Sequence, residues 1–414
     1  MSFLLTMLDD ASPDVEFDAA SDGADTELAN DAIEVQEAVN EAGEVAEGIE
    51  DGVEVVEAAE SLISYSQMAA AGQPVSKSGQ YMAESLYGSL VAKTGKLFTS
   101  VTPITNGPDF ESATTSESAI RARAVAYCQE GFVQEATALV KRVAAAIAAL
   151  FEKVVVAIKR LFMSAAKIKK VLEETKSALG KTEDYQDSAS DKEITVSAQW
   201  LNDGSKVNPT KAVSDAESQY ASYSSSLKSG LSEIKSIFTS IVKNTGEDAS
   251  EEERAIQKAE MILTSTVGGR KTIAGRPINI SKGSISIGPA PSISKSSMTA
   301  MSRSDLLSFI GEAIKLAEAL EKHKDHIKDA EKAKTEEIKA ISDVAKELEK
   351  SSTDEAETAK TALLRRRLTT LTKLSSSKAI GSLNTISGVA FGVLFAATKL
   401  AKANAKALAK KKSS

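Results

Sequence analysis

His323 and His326 stand three residues apart in EKHKDHIKD, a spacing that sets two imidazoles on one helical turn where they would share a metal ion. No third ligand has a suitable spacing, and Lys322, Lys324 and Lys328 surround the pair, so a solvated helix face is the favoured reading. Cys128 is the single cysteine, which excludes an intramolecular disulfide and any multi-cysteine zinc site. As a nucleophile it would need a basic partner, and both histidines lie far away in sequence, so it reads as a buried structural thiol. Gly268, Gly269, Arg270, Lys271 and Thr272 have the residue types of a phosphate loop, but Arg270 interrupts the Gly-Lys pair that the loop requires. Carboxylates are abundant, yet they fall in acidic or highly charged stretches with no apolar pocket in prospect to raise a pKa for acid or base work. The expectation is a non-enzymatic chain: no catalytic residue, no cofactor site, no metal ligand.

Charge placement carries more. The chain has 414 residues, 50 Lys and Arg against 58 Asp and Glu, and a net charge of -8. Residues 1–60 hold 19 of the acids and no Lys or Arg, so the remaining 354 residues, with 39 acids against 50 bases, carry +11. An acidic segment on a basic body points to a detachable tail or to an anionic partner. Aromatic residues make up only 5% of the chain, a balance rich in helix formers that argues against a large β-sandwich or an α/β barrel. The start, MSFLLTMLDD, has an apolar patch without a basic n-region and does not read as a secretory signal.

The elements that position these charges follow from periodicity. Residues 1–60 are expected to be disordered, with Ile33, Glu37, Val39 and Ala46 marking at most a weak helix when bound. Residues 61–117 read as a low-complexity linker with a short helix around Tyr81 to Lys96. In the region 118–267, the residues Val140, Val143, Ile147, Leu150, Val154, Ile158, Leu161, Ala165, Ile168 and Leu172 recur at spacings of three and four, one stripe of a helix that ends near Gly180. Alternation of Ile194, Val196, Ala198 and Trp200 predicts a short strand near 193–201. Pro209 opens a helix to about Asn244, and a shorter helix runs from Ser250 to Thr266. The region 268–301 is a Gly, Pro and Ser linker holding a β-hairpin, with Ile278 and Ile280, then Lys282-Gly283, then Ile285 and Ile287. The region 302–414 begins with a Ser302/Asp305 capping box and one helix to Lys350, of about 70 Å if unbroken. A second capping box, Ser352/Glu355, starts a helix through Leu374, and a last helix from about Ser382 ends in a basic tail. The fold class is mainly α: an elongated bundle of long amphipathic helices, a small hairpin and strand element, and a disordered acidic leader.

The order of these parts resembles the internal head proteins of phiKZ-like giant bacteriophages. The residues that carry the resemblance are the acidic leader, then LVKRVAAAIAALFEKVVVAIKRLFMSAAKIKKVLEE, then a Lys-rich helical half ending in SLNTISGVAFGVLFAATKLAKANAKALAKK. The resemblance implies a structural virion protein in the capsid interior. It also implies that a prohead protease removes a capsid-targeting propeptide by cutting after Glu, with a small residue two positions earlier. The leader matches that pattern at Glu34, Glu44, Glu50, Glu54 and Glu60. Ala319-Leu320-Glu321 and Ala345-Lys346-Glu347 also match, inside expected helices, where a protease that needs an extended strand is denied access. Thr115-Ser116-Glu117 lacks the small residue.

The expected partners are capsid or scaffold components through the leader, the protease, packaged DNA, and other copies through the helices. Candidate DNA contacts are Lys141, Arg142, Lys159, Arg160, Arg365, Arg366, Arg367, Lys410, Lys411 and Lys412. With few aromatics to stack bases, binding would be electrostatic and without sequence preference. The expected location is the capsid interior, with the host cytoplasm during assembly or after ejection. A rival reading is a membrane-associating helical protein anchored by residues 386–412, whose apolar segment from Ile386 to Leu400 is too short and too quickly charged for a span.

Overall fold

Apolar side chains repeated every three to four residues need a partner face, and in this chain the helices supply it to one another. The computed structural model describes residues 23–94, 121, 124, 130–243, 254, 257–258, 261, 272–281, 284–290, 292, 297–322, 324–351, 359–374 and 377–410. The described helices are α1 (Gly23–Ala70), α2 (Lys77–Thr94), α3 (Glu130–Gly180), α4 (Pro209–Lys243), α5 (Arg303–Lys322), α6 (Lys324–Ser351), α7 (Ala359–Leu374) and α8 (Ser377–Leu408). The strands are β1 (Glu193–Thr195), β2 (Thr272–Ile273), β3 (Arg276–Ser281), β4 (Ser284–Ile287) and β5 (Ser297–Thr299). The fold is a mainly α, elongated bundle with small β elements, as its composition and periodicity imply.

Helix α3 is the spine. All ten residues of its expected stripe, Val140 to Leu172, are buried, and α1, α5, α6, α7 and α8 pack around it. Helix α8 is the second central element, lying against α1, α3, α4 and α5. Its segment Ile380–Leu408 is long and apolar enough to cross a membrane, but 83% of its most apolar window is buried inside the bundle. That burial makes it a core helix of this fold.

The leader expectation is corrected from Gly23 onward, because most of it is α1, a helix of 48 residues. Val35, Val39, Ala42, Ile49, Val53, Val56, Ala59 and Ile63 are buried, at spacings of three, four and seven. Acids and alanines interleave with them and thin the pattern, which is why composition alone suggests disorder. The rest of the expected leader, residues 1–22, lies outside the described residues. The boundary placed at residue 60 falls within α1, which continues to Ala70. There Gly72 at φ +81° closes the helix, with Gly72 N–H donating to Ala69 O at 3.2 Å and Gln73 N–H to Met68 O at 3.1 Å. This is a Schellman turn, which calls for glycine at the left-handed position. The short helix expected near Tyr81 is α2.

The β elements sit against α8. In the hairpin β3–β4, Ile278 pairs with Ile287 and Ile280 with Ile285, as the Lys282-Gly283 turn predicts, and β2 adds a third strand. The Ile285 N–H donates to Ser382 Oγ of α8 at 3.0 Å. Strand β1 is shorter than the alternation suggests and pairs antiparallel with β5. Beyond Thr195 the chain turns, with Trp200 N–H and Leu201 N–H both donating to Ser197 O, so Ala198 and Trp200 do not belong to a strand. Trp200 instead packs at Gly392 of α8, where an added Cβ would approach its ring to 2.7 Å. The Arg276 guanidinium lies 4.2 Å from the same ring centroid, and burial pulls its pKa down to about 10. Gly275, at φ +72°, allows the β2–β3 turn to close on Gly204, whose backbone nitrogen would lie 2.6 Å from a Cβ.

The cap at Ser302 forms as expected, with Asp305 N–H donating to Ser302 Oγ at 3.1 Å and Ser302 Oγ–H to Asp305 Oδ2 at 2.6 Å. The helix expected to run unbroken to Lys350 is described as α5 and α6, on either side of residue 323. The expected helix from Ser250 to Thr266 and the Ser352/Glu355 cap lie almost wholly outside the described residues.

Candidate functional site

Every charged residue of α1 is an acid, and the helix is seated on elements that offer bases. Lys167 of α3 reaches Asp31 at 2.7 Å and Lys153 of α3 reaches Glu41 at 3.3 Å. Lys93 of α2 reaches Glu54 at 2.7 Å. On α7, Lys373 Nζ lies 3.0 Å from Glu57 and Arg365 Nε 2.7 Å from Glu60. The order of pairing runs α1 antiparallel to α3.

Beneath the ion pairs lies a close apolar fit. Gly52 of α1 receives Val143 of α3, whose Cγ2 would lie 2.7 Å from a Cβ on that glycine. Gly388 of α8 receives Val39 of α1 at the same 2.7 Å, and Gly381 receives Ala46 at 3.2 Å. Asn384, between those two glycines on α8 and 1% exposed, donates from Nδ2 to the Val39 carbonyl at 2.8 Å. Exposed ion pairs contribute about 0–1 kcal/mol each, whereas burying one Val, Leu or Ile side chain contributes about 1.5–3 kcal/mol before entropy is subtracted. The apolar bed therefore holds α1, while the notches, the Asn384 hydrogen bond and the charges set its register. Arg365 differs from the other bases: only 2% of its side chain is exposed, so a buried guanidinium meets the half-buried Glu60.

The candidate cleavage residues Glu34, Glu44, Glu50, Glu54 and Glu60 all lie within α1. Glu34 and Glu44 are exposed, and Glu50, Glu54 and Glu60 are half-buried. The helix holds none of them as an extended strand. Glu321 and Glu347 lie in α5 and α6.

The described candidate DNA contacts are spread over α3, α7 and the end of α8. Arg142, Lys159 and Arg160 are exposed on α3, and Lys141 is half-buried. Lys159 is paired with Glu331 of α6 at 2.9 Å. Arg365 is buried, Arg366 is exposed and Arg367 half-buried on α7. Lys410 donates to the carbonyls of Thr182 and Glu183, both at 3.1 Å, closing the end of α8 onto the loop after α3. Lys411 and Lys412 lie outside the described residues, as do His323, Cys128 and the 268–271 loop. The His326 side chain is likewise not described.

The sequence did not single out Lys93, Lys153, Lys167 or Lys373. The available signal was the separation of Lys153 and Lys167 by four helical turns, both beside the core stripe of α3. That places them along one edge of whatever covers the stripe.

The sequence pattern that defines the phiKZ-like phage internal head proteins matches residues 23–403. The match starts at the first residue of α1 and so includes the acidic helix with the body. Comparison with curated proteins and with solved structures gives no match.

Proposed function

The chain belongs to the phiKZ-like phage internal head proteins, structural proteins of the virion interior, and we propose that α1 is its docked acidic pro-segment. The full chain, at -8, joins the forming head without gripping nucleic acid. Cleavage after Glu within residues 34–60 by a prohead protease then leaves a basic body, between +2 for a cut after Glu34 and +11 for a cut after Glu60, beside the packaged DNA. The protein works by binding and charge, without catalysis. Capsid or scaffold components engage the acidic leader, and the cut protein travels with the genome.

The observation that carries this reading is the seating of an all-acid helix on Lys153, Lys167, Arg365 and Lys373 of the body. A protease needs an extended strand, so cutting precedes the docking of α1 or follows its local lifting. A membrane role would require α8 to leave the core of the bundle, and its burial favours the capsid reading.

Intact-mass measurement of the protein taken from mature particles, beside the full translated chain, tests the proposal. The expected product begins between residues 35 and 61. A mature protein that still carries residues 1–60 would overturn it.

A further inference from the structure

We infer that Lys153, Lys167 and Lys373 form the DNA-phosphate site of this protein, and that α1 occupies the site with carboxylates standing where phosphates would. The inference rests on the reading of α1 as a charge cover and names the surface that it covers. Each of the three lysines meets a carboxylate oxygen of α1: Asp31 Oδ2 at 2.7 Å from Lys167, Glu41 Oε2 at 3.3 Å from Lys153 and Glu57 Oε1 at 3.0 Å from Lys373. Their side chains are 44%, 42% and 24% exposed, so the pairs lie at the rim of the interface, where a second polyanion can reach them. Arg365 is set apart by its burial.

Spacing supports the same ligand. Residues 31, 41 and 57 of α1 span about 39 Å at about 1.5 Å per residue, close to one turn of B-form DNA, about 34–36 Å. Three point charges at intervals of about 15 and 24 Å lie within reach of phosphates along one face of a duplex. Lysine ammonium groups carry no base-reading geometry, so contacts of this kind position DNA without selecting its sequence. Two other candidate bases are engaged elsewhere in the fold, Lys159 with Glu331 and Lys410 with the Thr182 and Glu183 carbonyls.

The test uses the full chain and two sets of substitutions with the same change in net charge. One set removes the paired carboxylates: Asp31→Asn, Glu41→Gln and Glu57→Gln. The other removes exposed carboxylates of α1: Glu34→Gln, Glu37→Gln and Glu47→Gln. Exposed pairs add little to stability, and circular dichroism melts check that both variants keep the fold. Binding to a random-sequence 30-base-pair duplex is then measured across a salt series. The paired set is expected to bind about tenfold or more tightly than the other at low salt, with a log–log salt slope steeper by about 0.9 per phosphate gained. Adding Lys153→Gln, Lys167→Gln and Lys373→Gln should abolish that gain. Equal gains in the two sets, or a gain that survives loss of the lysines, would overturn the site while leaving the charge cover standing. If neither set binds better than the parent chain, the charge cover itself fails, and the site with it.

Discussion

Ile147→Asp or Leu150→Asp lowers the stability of the bundle by several kcal/mol. Both side chains are at most 1% exposed on α3, the helix on which five others converge. A carboxylate at either position loses its hydration without gaining a partner, at a cost of at least about 2–4 kcal/mol. The apolar contacts it replaces account for about 2–5 kcal/mol more. Few domains have a net stability above about 5–15 kcal/mol, so a fall of this size brings the variant close to unfolding. Urea or thermal melts at neutral pH measure it. Because the penalty belongs to the ionised form, acidifying to where an aspartate would protonate relieves part of it in the variant relative to the parent chain. A melting curve unchanged by either substitution would mean that the stripe from Val140 to Leu172 is not the core.

Glu60→Ala has the second-largest expected effect, and its size separates the Glu60 pair from the others made by α1. The Arg365 guanidinium is 2% exposed and its Nε lies 2.7 Å from the Glu60 carboxylate. Taking away one partner of a buried pair costs on the order of 3–5 kcal/mol, because the remaining charge stays in the interior. Glu41→Ala removes a partner from Lys153 at the rim, where the side chains are 64% and 42% exposed, and costs less than about 1 kcal/mol. Urea melts of the two variants give the comparison. Equal losses would show that Arg365 meets Glu60 in a solvated environment, contrary to the burial of its guanidinium.

Where the apolar period was regular, the sequence was easy to read. The α3 stripe, the α4 start at Pro209, the Ser302 cap and the Ile278–Ile287 hairpin all follow from spacing and turn chemistry. Helix α1 was hidden for a physical reason. Its buried positions are largely Ala and Val, each too small to stand out, and the intervening acids lower its hydrophobicity below the level at which a free segment folds. Its stability comes from the apolar bed supplied by α3 and α8, and its register from the notches at Gly52 and Gly388, contacts between residues far apart in sequence. The same holds for the charges. The clustered bases Arg365 to Arg367 and the basic tail draw the eye, yet Lys153, Lys167 and Lys373 meet the acids of α1 only through tertiary packing. At Trp200 the period-2 pattern misled, because the alternation that suggested a longer strand comes from a turn that places the indole against Gly392.

Amide hydrogen exchange of the full-length protein tests most directly whether the acidic helix is a docked part of the fold. The account predicts strong protection from Val35 to Ile63, at a level approaching that of α3. It further predicts that Glu60→Ala weakens this protection more than Glu41→Ala does. Exchange of that stretch at the rate of an unfolded chain, with α3 still protected, would contradict the account and return the segment to a free acidic tail.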